Sequence, residues 1–321
     1  MKRYILLACC ALLMTGCLKN QPKIGQEVTK SSLTYSIKET DTLRLDKYEI
    51  AGGEAARPCV IFLFGGGFSG GAKEQEGNVR FMESLAQLGY VAVAIDYRLG
   101  MKDFTPTGDG PLALMAMASR LTHSVKMATE DLYDATTFVY EHAREWNINS
   151  DWLVACGSSA GALAVLQGEF YRVNNDPLAQ KLPKEFKYGG VIAFAGAIYH
   201  DKGALSWSQT PAPMLLFHGD ADKNVPYKSL TFGAMGLHGS HTIVETLAAA
   251  EYPYYFVEVN NAAHEISGTP MGENLGEIKT FIDQMVVGQK PWMIHSIVQE
   301  KGKPELDKEV SFTDFIHSNY P

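Results

Sequence analysis

Short, nearly continuous apolar runs recur along the middle of the chain, and longer mixed stretches separate them. Such runs are typical of strands buried on both faces of a parallel sheet. They predict strands over residues 60–64, 91–95, 153–155, 191–194, 214–217 and 255–259. The stretches between and after them have helical periodicity, which predicts helices over residues 79–88, 128–146, 160–171, 240–250 and 277–287.

Two further segments alternate apolar and polar residues, at 31–38 and 42–50, around a polar turn. This alternation predicts an exposed antiparallel hairpin ahead of the apolar runs. An antiparallel pair followed by alternating strands and helices predicts an α/β fold with an open, mostly parallel central sheet. We expect about eight strands with helices on both faces.

Three connections are longer than a compact α/β domain needs, at residues 99–126, 172–188 and 198–212. Long insertions in such folds are usually functional or mobile, so we interpret them as lid-like insertions around a pocket. The alternative is that they decorate the surface. The last stretch, 289–321, has no periodicity that assigns an element to it.

The N-terminus has the pattern of an export sequence. Two basic residues, Lys2 and Arg3, precede an apolar run of about 11 residues that ends at Met14. This run is too short to span a bilayer and is typical of a signal peptide.

The residues that follow, Leu13-Met14-Thr15-Gly16-Cys17, resemble a bacterial lipobox, with methionine where leucine is usual. The resemblance implies a signal peptide over 1–16, a lipidated Cys17 and a polar tether over 17–30. It thereby predicts an exported bacterial lipoprotein held at a membrane surface, facing outward or into the periplasm, without a transmembrane helix. The alternative is a plain secretory signal cut nearby.

Composition narrows the range of partners. The chain has 321 residues, is 46% hydrophobic and 20% charged, and has a net charge of −8. A negative field argues against a nucleic-acid partner, because phosphate binding needs basic side chains. The two cysteines outside the export sequence, Cys59 and Cys156, each lie in an apolar strand segment, which favours buried thiols over a disulfide.

One short motif could supply a nucleophile. Gly157-Ser158-Ser159-Ala160-Gly161 lies where a predicted strand passes into a predicted helix. Glycines on either side let the chain turn sharply and hold the Ser159 hydroxyl at the tip, with the helix N-terminus behind it. Such a hydroxyl needs a base, and the base needs an orienting acid, in the chain order serine, acid, histidine.

Candidates for both partners follow later strands. Asp220 and Asp222 come after the strand at 214–217, and His264 comes after the strand at 255–259. Open α/β sheets place their sites beyond the carboxyl ends of parallel strands, so these residues can meet Ser159. The residues alone leave both aspartates open, and a capping aspartate with a surface histidine is the ordinary alternative.

A glycine run, Gly65-Gly66-Gly67-Phe68, follows the first apolar run. Its backbone could approach a substrate, so Gly66 and Gly67, with Ala160, are candidate amide donors of an oxyanion hole. The same run also matches a dinucleotide fingerprint, Gly65-x-Gly67-x-x-Gly70, with Asp96 as the ribose acid. The polar stretch before the next helix and the predicted export weigh against that second interpretation.

At this point the chain resembles the α/β-hydrolase superfamily over about residues 55–285. It is similar to carboxylesterases of the hormone-sensitive-lipase type and to related carbohydrate esterases. Five motifs carry the resemblance: H-G-G-G-[FW] at 64–68, D-Y-R-L at 96–99, E-D-x-x-x-A at 130–135, G-[DF]-S-A-G at 157–161, and H-G-x-x-D-x-x-V-P at 218–226. The last selects Asp222 over Asp220. Phe64 and Ser158 depart from the usual histidine and aspartate.

The resemblance implies one α/β-hydrolase domain over 31–321 and a serine hydrolase with Ser159, Asp222 and His264 as its triad. It implies carboxylester hydrolysis through an acyl-enzyme on short-chain or oligosaccharide-linked esters, without a cofactor. The histidines at 238 and 241 lack further ligands, so a solvated loop is preferred to a metal site. The alternatives are an inactive hydrolase fold that binds a ligand and, with less support, a dinucleotide-dependent oxidoreductase.

Overall fold

The computed structural model describes residues 27–39, 41–52, 56–105, 110–201, 203–233 and 235–320. The predicted signal peptide, Cys17 and most of the predicted tether lie outside the described residues. The first strand begins at Val28, so the end of the predicted tether belongs to the sheet. Within the described ranges, no helix combines the length and the apolar character that crossing a membrane requires.

Twelve strands occur in the described residues, and their bounds are as follows: β1 Val28–Lys38, β2 Asp41–Ile50, β3 Arg57–Leu63, β4 Val91–Ile95, β5 Ile148–Ser158, β6 Gly190–Phe194, β7 Ala197–Tyr199, β8 Met214–Gly219, β9 Ser229–Phe232, β10 Met235–Gly239, β11 Tyr254–Val259 and β12 Met293–Val298. Nine of them form the central sheet in the order β1-β2-β4-β3-β5-β6-β8-β11-β12. The pairs β1/β2 and β2/β4 are antiparallel, and the other pairs are parallel. This confirms the hairpin and the mostly parallel sheet.

The helices of the described residues are α1 Glu76–Gln87, α2 Pro111–Glu141, α3 Ala160–Val173, α4 Ser240–Ala249, α5 Pro270–Glu273, α6 Leu275–Thr280 and α7 Phe312–Asn319. Single turns of 3-10 helix lie at Pro177–Lys181 and His264–Ser267, and α6 continues as a π-helical turn, Phe281–Val287. The predicted start of α2 was wrong. The helix begins at Pro111, well before residue 128, and takes up much of the segment 99–126.

The core lies on both faces of the central sheet, and β4, β6 and β8 are buried along their whole length. Phe62 of β3 meets Phe81 of α1 edge-on on one face. Cys59 and Cys156 are both free thiols without exposure, as predicted, and burial raises the pKa of each well above its usual value. The six apolar runs therefore are strands because both of their faces are covered.

Residues 289–320, which had no assignment from sequence, form β12 and α7. β12 pairs in parallel with β11 at the edge of the sheet, and its side chains remain largely exposed. A capping box formed by Ser311 and Asp314 begins α7. The apolar side chains Phe312, Phe315 and Ile316 are buried, so this helix is anchored on the body of the protein.

Two of the sequence motifs meet between β4 and α2. Arg98, just past β4, donates from Nε to both carboxylate oxygens of Asp131, at 3.0 Å each, and from its guanidinium to Glu130 at 2.7 Å. Asp131 is fully buried, and it also accepts the Arg98 backbone N–H at 2.8 Å. The D-Y-R-L and E-D-x-x-x-A motifs thus join α2 to the end of β4.

Candidate active site

Ser159 lies in a one-residue turn between β5 and α3, with φ 49° and ψ −117°. Both flanking glycines are needed for this turn. A Cβ on Gly157 would lie 2.3 Å from the Gly161 backbone, and a Cβ on Gly161 would lie 2.1 Å from the Leu63 carbonyl oxygen. The left-handed φ of Ser159 is a strained value for a residue with a side chain, and such strain is typical of functional positions.

The structure brings Ser159, His264 and Asp222 into one hydrogen-bonded line. Ser159 Oγ lies 2.9 Å from Nε2 of His264, and Nδ1 of His264 lies 2.8 Å from Oδ2 of Asp222. Ser159 and Asp222 are buried, whereas the His264 side chain is 23% exposed. The geometry has the nucleophile–base and base–acid contacts that a serine triad requires.

The Asp222 carboxylate is enclosed by donors. Its Oδ1 accepts the backbone N–H groups of Asn224 at 2.8 Å and Val225 at 3.0 Å, and buried His218 lies 3.5 Å from Oδ2. Burial alone would raise the pKa of Asp222, but the hydrogen bonds from His218 and His264 outweigh it and hold the pKa well below its usual value. Asp222 is therefore a charged acid suited to orient the imidazole.

Asp220, the other candidate acid, has a different position. It accepts the backbone N–H of Asn261 at 2.7 Å and forms an ion pair with Lys308 at 2.9 Å. Asn261 precedes His264 in the same loop, so Asp220 supports the loop that carries the histidine. The structure thus pairs Asp222, and not Asp220, with His264, which is the choice that the motif at 218–226 favoured.

The glycine run lies beside the serine and makes a tight turn. Gly66 and Gly67 have φ values of 131° and 60°, and a Cβ on Gly66 would lie 2.3 Å from the Gly70 carbonyl oxygen. Gly65 is packed so closely that a Cβ there would lie 3.1 Å from the Cβ of Ser159. This places the Gly66 and Gly67 backbone next to the nucleophile, together with Ala160 at the first position of α3.

The two departures from the family motifs have structural partners. Phe64 stacks on Tyr97 with ring centroids 4.5 Å apart, and the Tyr97 hydroxyl donates to the Phe64 carbonyl at 2.7 Å. Ser158 donates from its hydroxyl to the Ser267 carbonyl at 2.7 Å, in the loop that follows His264. Tyr97 therefore supports the start of the glycine turn, and Ser158 connects the nucleophile turn to the histidine loop.

A cavity of about 530 Å³ opens over the triad. Its lining is formed by glycine backbone, amide and hydroxyl side chains, His264 and Met271: Gly65, Gly66, Gly67, Gly71, Gln75, Gly77, Asn78, Ser158, Ser159, Asn224, His264, Ser267, Met271, Ser318 and Asn319. The side chains are therefore mostly uncharged hydrogen-bonding groups. Ser318 and Asn319 belong to α7, for which the sequence assigned no role.

None of these lining residues comes from the three segments interpreted as lid-like insertions, and that interpretation stays a prediction. The first segment contacts the glycine run, where the Met101 backbone N–H donates to the Phe68 carbonyl at 2.9 Å, and the other two contact helices. Lys181 forms ion pairs with α2 at Glu130 and Asp134, and Trp207 packs edge-on against Phe170. These contacts join the segments 172–188 and 198–212 to α2 and α3.

The residues that suggested a dinucleotide or metal site have structural partners instead. The Asp96 carboxylate forms an ion pair with Lys73 at 2.9 Å and accepts the Arg44 backbone N–H at 3.2 Å. Helix α1 begins at Glu76, beyond the third glycine of the dinucleotide fingerprint. The expected solvated loop was wrong: His238 is buried in β10 and contacts the Ser229 hydroxyl at 2.9 Å, and His241 lies in α4. Across the described part of the chain, no three His, Cys, Asp or Glu side chains form a group able to hold a metal ion.

The sheet order and the strand-to-helix serine turn define the α/β-hydrolase fold, and the three-residue line is a site of the serine-hydrolase type. A family model described as BD-FAE matches residues 45–108. The "Fumonisin B1 esterase" of Sphingopyxis macrogoltabida is 32% identical over 117 residues, which are 35% of this chain and 20% of that protein. The match thus spans about one fifth of that relative's length.

Solved structures show the same fold. Esterase 2 of Thermogutta terrifontis, phosphoramylated by tabun, has a TM-score of 0.57 at 22% identity, with 81% of this chain and 94% of that chain covered. The propionate-bound structure of that esterase gives the same TM-score, identity and coverage. The α/β-hydrolase fold predicted from the sequence is therefore confirmed.

Proposed function

We propose that this chain is a serine carboxylester hydrolase that acts through an acyl-enzyme. The observation that carries the proposal is the continuous line from Ser159 Oγ through His264 to Asp222 at the base of a cavity bordered by glycine backbone. Support also comes from the relatives, which are described as esterases.

The geometry supports the following chemistry. His264 Nε2 takes the proton of Ser159 as Oγ attacks the ester carbonyl carbon, and Asp222 holds the ring in the required tautomer. The backbone N–H groups of Gly66, Gly67 and Ala160 stabilise the negative oxygen of the tetrahedral intermediate. His264 then donates the proton to the departing alcohol. Water, deprotonated by the same nitrogen, cleaves the acyl-serine and restores the enzyme.

The cavity lining supports a neutral, hydrogen-bonding substrate. Apart from His264, its side chains carry no ionisable group, and amides such as Gln75 and Asn78 border the space. A short acyl chain or an ester of an oligosaccharide fits this lining better than a long lipid, because Met271 is the one long apolar side chain among the described lining residues. Propionate bound to the Thermogutta esterase agrees with a short acyl group.

Export and anchoring complete the proposal. The basic pair, the apolar run and Cys17 support an exported lipoprotein, in which a diacylated cysteine would hold the enzyme at a membrane surface. An enzyme placed there would meet its ester substrate outside the cytoplasm.

An activity-based probe combined with a substrate panel tests the proposal. We expect a fluorophosphonate to label the wild type once, with the adduct on the peptide that contains Ser159. The panel comprises acetylated and feruloylated oligosaccharides, p-nitrophenyl esters of increasing acyl length, and peptides. Hydrolysis of short or oligosaccharide esters supports the proposed function. Absence of both labelling and turnover in a folded protein would indicate an inactive hydrolase fold that only binds its ligand.

A further inference from the structure

The end of the chain returns to the site. We name residues 299–320 the C-terminal strap. Two ion pairs join it to the loop that carries the catalytic acid, where Lys223 lies 2.9 Å from Asp307 and Lys308 lies 2.9 Å from Asp220. These ion pairs are partly exposed, so each adds little stability alone. Their effect is to set the path of the strap across the acid loop.

The strap also reaches the loop that carries His264. The Leu306 backbone N–H donates to the Asn261 side chain at 3.3 Å, and Lys303 lies 3.7 Å from Glu265. Asn261 and Glu265 flank the histidine in the sequence. The strap therefore follows the acid loop and the histidine loop together.

Helix α7 ends in a reciprocal amide contact with the acid loop. Asn224 donates from Nδ2 to the Ser318 carbonyl at 3.0 Å, and Asn319 donates from Nδ2 to the Asn224 carbonyl at 2.7 Å. Asn224 is one of the two residues whose backbone N–H groups bind the Asp222 carboxylate. Ser318 and Asn319 both line the cavity, so this contact forms one of its walls.

The last described residue, Tyr320, contacts the third loop of the site. Its hydroxyl donates to the Gly67 carbonyl at 2.9 Å, and its ring lies 3.6 Å from the position that a Cβ on Gly67 would occupy. Gly67 has φ 60° and no side chain, so its own conformational preference restrains it little. A hydrogen bond from outside the turn is therefore an effective restraint on this peptide.

We propose that the C-terminal strap is a positioning and specificity element of the active site. Tyr320 fixes the glycine turn that supplies the oxyanion donors, and Ser318 with Asn319 forms the wall that limits substrate size. The inference rests on the proposed hydrolase function. It follows from one segment contacting the acid, histidine and oxyanion loops at once, although that segment lies far from all three in sequence.

Tyr320→Phe tests the positioning part, because it removes the hydroxyl and keeps the ring. We expect kcat for a short p-nitrophenyl ester to fall roughly three- to tenfold with KM nearly unchanged, since the lost hydrogen bond acts on transition-state geometry. Tyr140→Phe, which removes a hydroxyl remote from the site, is the matched control. Unchanged kcat in Tyr320→Phe, or an equal loss in both variants, would overturn this part.

Ser318→Trp tests the wall, with His317→Trp as its control. Both positions are exposed on α7, but only Ser318 lines the cavity. We expect Ser318→Trp to reduce kcat/KM for an ester with a bulky alcohol at least about tenfold more than for a methyl ester of the same acid. His317→Trp should leave that ratio unchanged. An equal ratio in the two variants would contradict the specificity role.

Hydrogen exchange separates failure of this inference from failure of the proposed function. If the wild type hydrolyses no ester, the proposed function fails, and exchange at the amides of residues 66–70 still tests the restraint. Faster exchange there in Tyr320→Phe than in Tyr140→Phe supports the contact of the strap with the glycine turn. Equal exchange in the two variants overturns it whatever the activity.

Discussion

Asp222 is a buried carboxylate whose charge is stabilised by groups from its own strand and loop and by His264. Two backbone N–H groups bind Oδ1, His264 binds Oδ2, and His218 lies behind it at 3.5 Å. His218 is itself held by the Ser240 hydroxyl at 2.7 Å. Removing solvent from a carboxylate is unfavourable, and these donors reverse the effect and depress the pKa of Asp222.

This depressed pKa has a consequence for stability. In the unfolded chain Asp222 has an ordinary pKa of about 4, so below about pH 5 the unfolded state takes up its proton more readily than the folded state. The contribution of Asp222 is therefore present above that range and is lost as pH falls. We expect the free energy of unfolding to fall less between about pH 5 and pH 3 in Asp222→Asn than in the wild type. Urea titrations at each pH measure the free energy of unfolding. An equal fall of this free energy with pH in the two proteins would contradict the prediction.

The sequence identified the triad candidates but could not choose the acid from chain order alone. Asp220 and Asp222 are two residues apart and both follow β8. Their difference is set by distant partners: Lys308 pairs with Asp220, and His264 with Asp222. Such contacts depend on how separate segments pack, so the spacing of residues within one loop cannot predict them. Only the motif resemblance favoured Asp222.

At the scale of elements, the nucleophile turn depends on close packing between the start of α3 and the end of β3. A Cβ on Gly161 would lie 2.1 Å from the Leu63 carbonyl oxygen and 2.6 Å from its carbon. No rotamer change relieves this contact, because both partners are backbone. The helix start, and with it Ser159, must therefore move if any side chain is placed at 161.

Gly161→Ala is expected to destabilise the fold by at least about 1–3 kcal/mol, because overpacking forces the backbone to shift. Gly276→Ala is the matched control in another helix, where nothing lies within 4 Å of the new Cβ. That variant should be neutral or slightly stabilised, since alanine favours a helix more than glycine does. The stability of the two variants is compared by their urea unfolding midpoints. Equal midpoints would contradict the claim that close packing at Gly161 stabilises the fold.

The elements that sequence predicted best are those buried on both faces. Every apolar run coincided with a strand, and residues 91–95 matched β4 without adjustment. The start of α2 was missed because its alanine- and methionine-rich first half has no clear polar face, although those residues favour helices. β12 was missed although four of its six residues are apolar, because His295 and Ser296 interrupt them and leave neither a continuous apolar run nor a regular alternation.

At the scale of the whole molecule, the central sheet brings residues from widely separated segments together beyond the carboxyl ends of its strands. The C-terminal strap contacts the loops that lie there. This return could not be predicted, because α7 is only eight residues long and its burial depends on a surface formed by other elements.

The proposed anchor belongs to the same scale. We expect Cys17→Ser to abolish incorporation of labelled palmitate in a bacterial host and to move the protein from the membrane fraction to the soluble fraction, since no acyl chains would remain to hold it. Replacing Cys59 with serine should not change the labelling, because that thiol is buried in the fold. Membrane retention of Cys17→Ser with full palmitate labelling would exclude the lipoprotein assignment.

The role of Ser159 is the central claim, and its neighbour provides the sharpest comparison. Initial rates of p-nitrophenyl acetate hydrolysis should be measured for the wild type, Ser158→Ala and Ser159→Ala, with folding checked by circular dichroism. Ser158 lines the cavity and donates to the Ser267 carbonyl but lies outside the triad, so its loss should cost about tenfold or less. Loss of Ser159 should reduce the rate to that of buffer, because the attacking oxygen is gone. A Ser159→Ala variant that keeps the wild-type rate would contradict the assignment of Ser159 as the nucleophile.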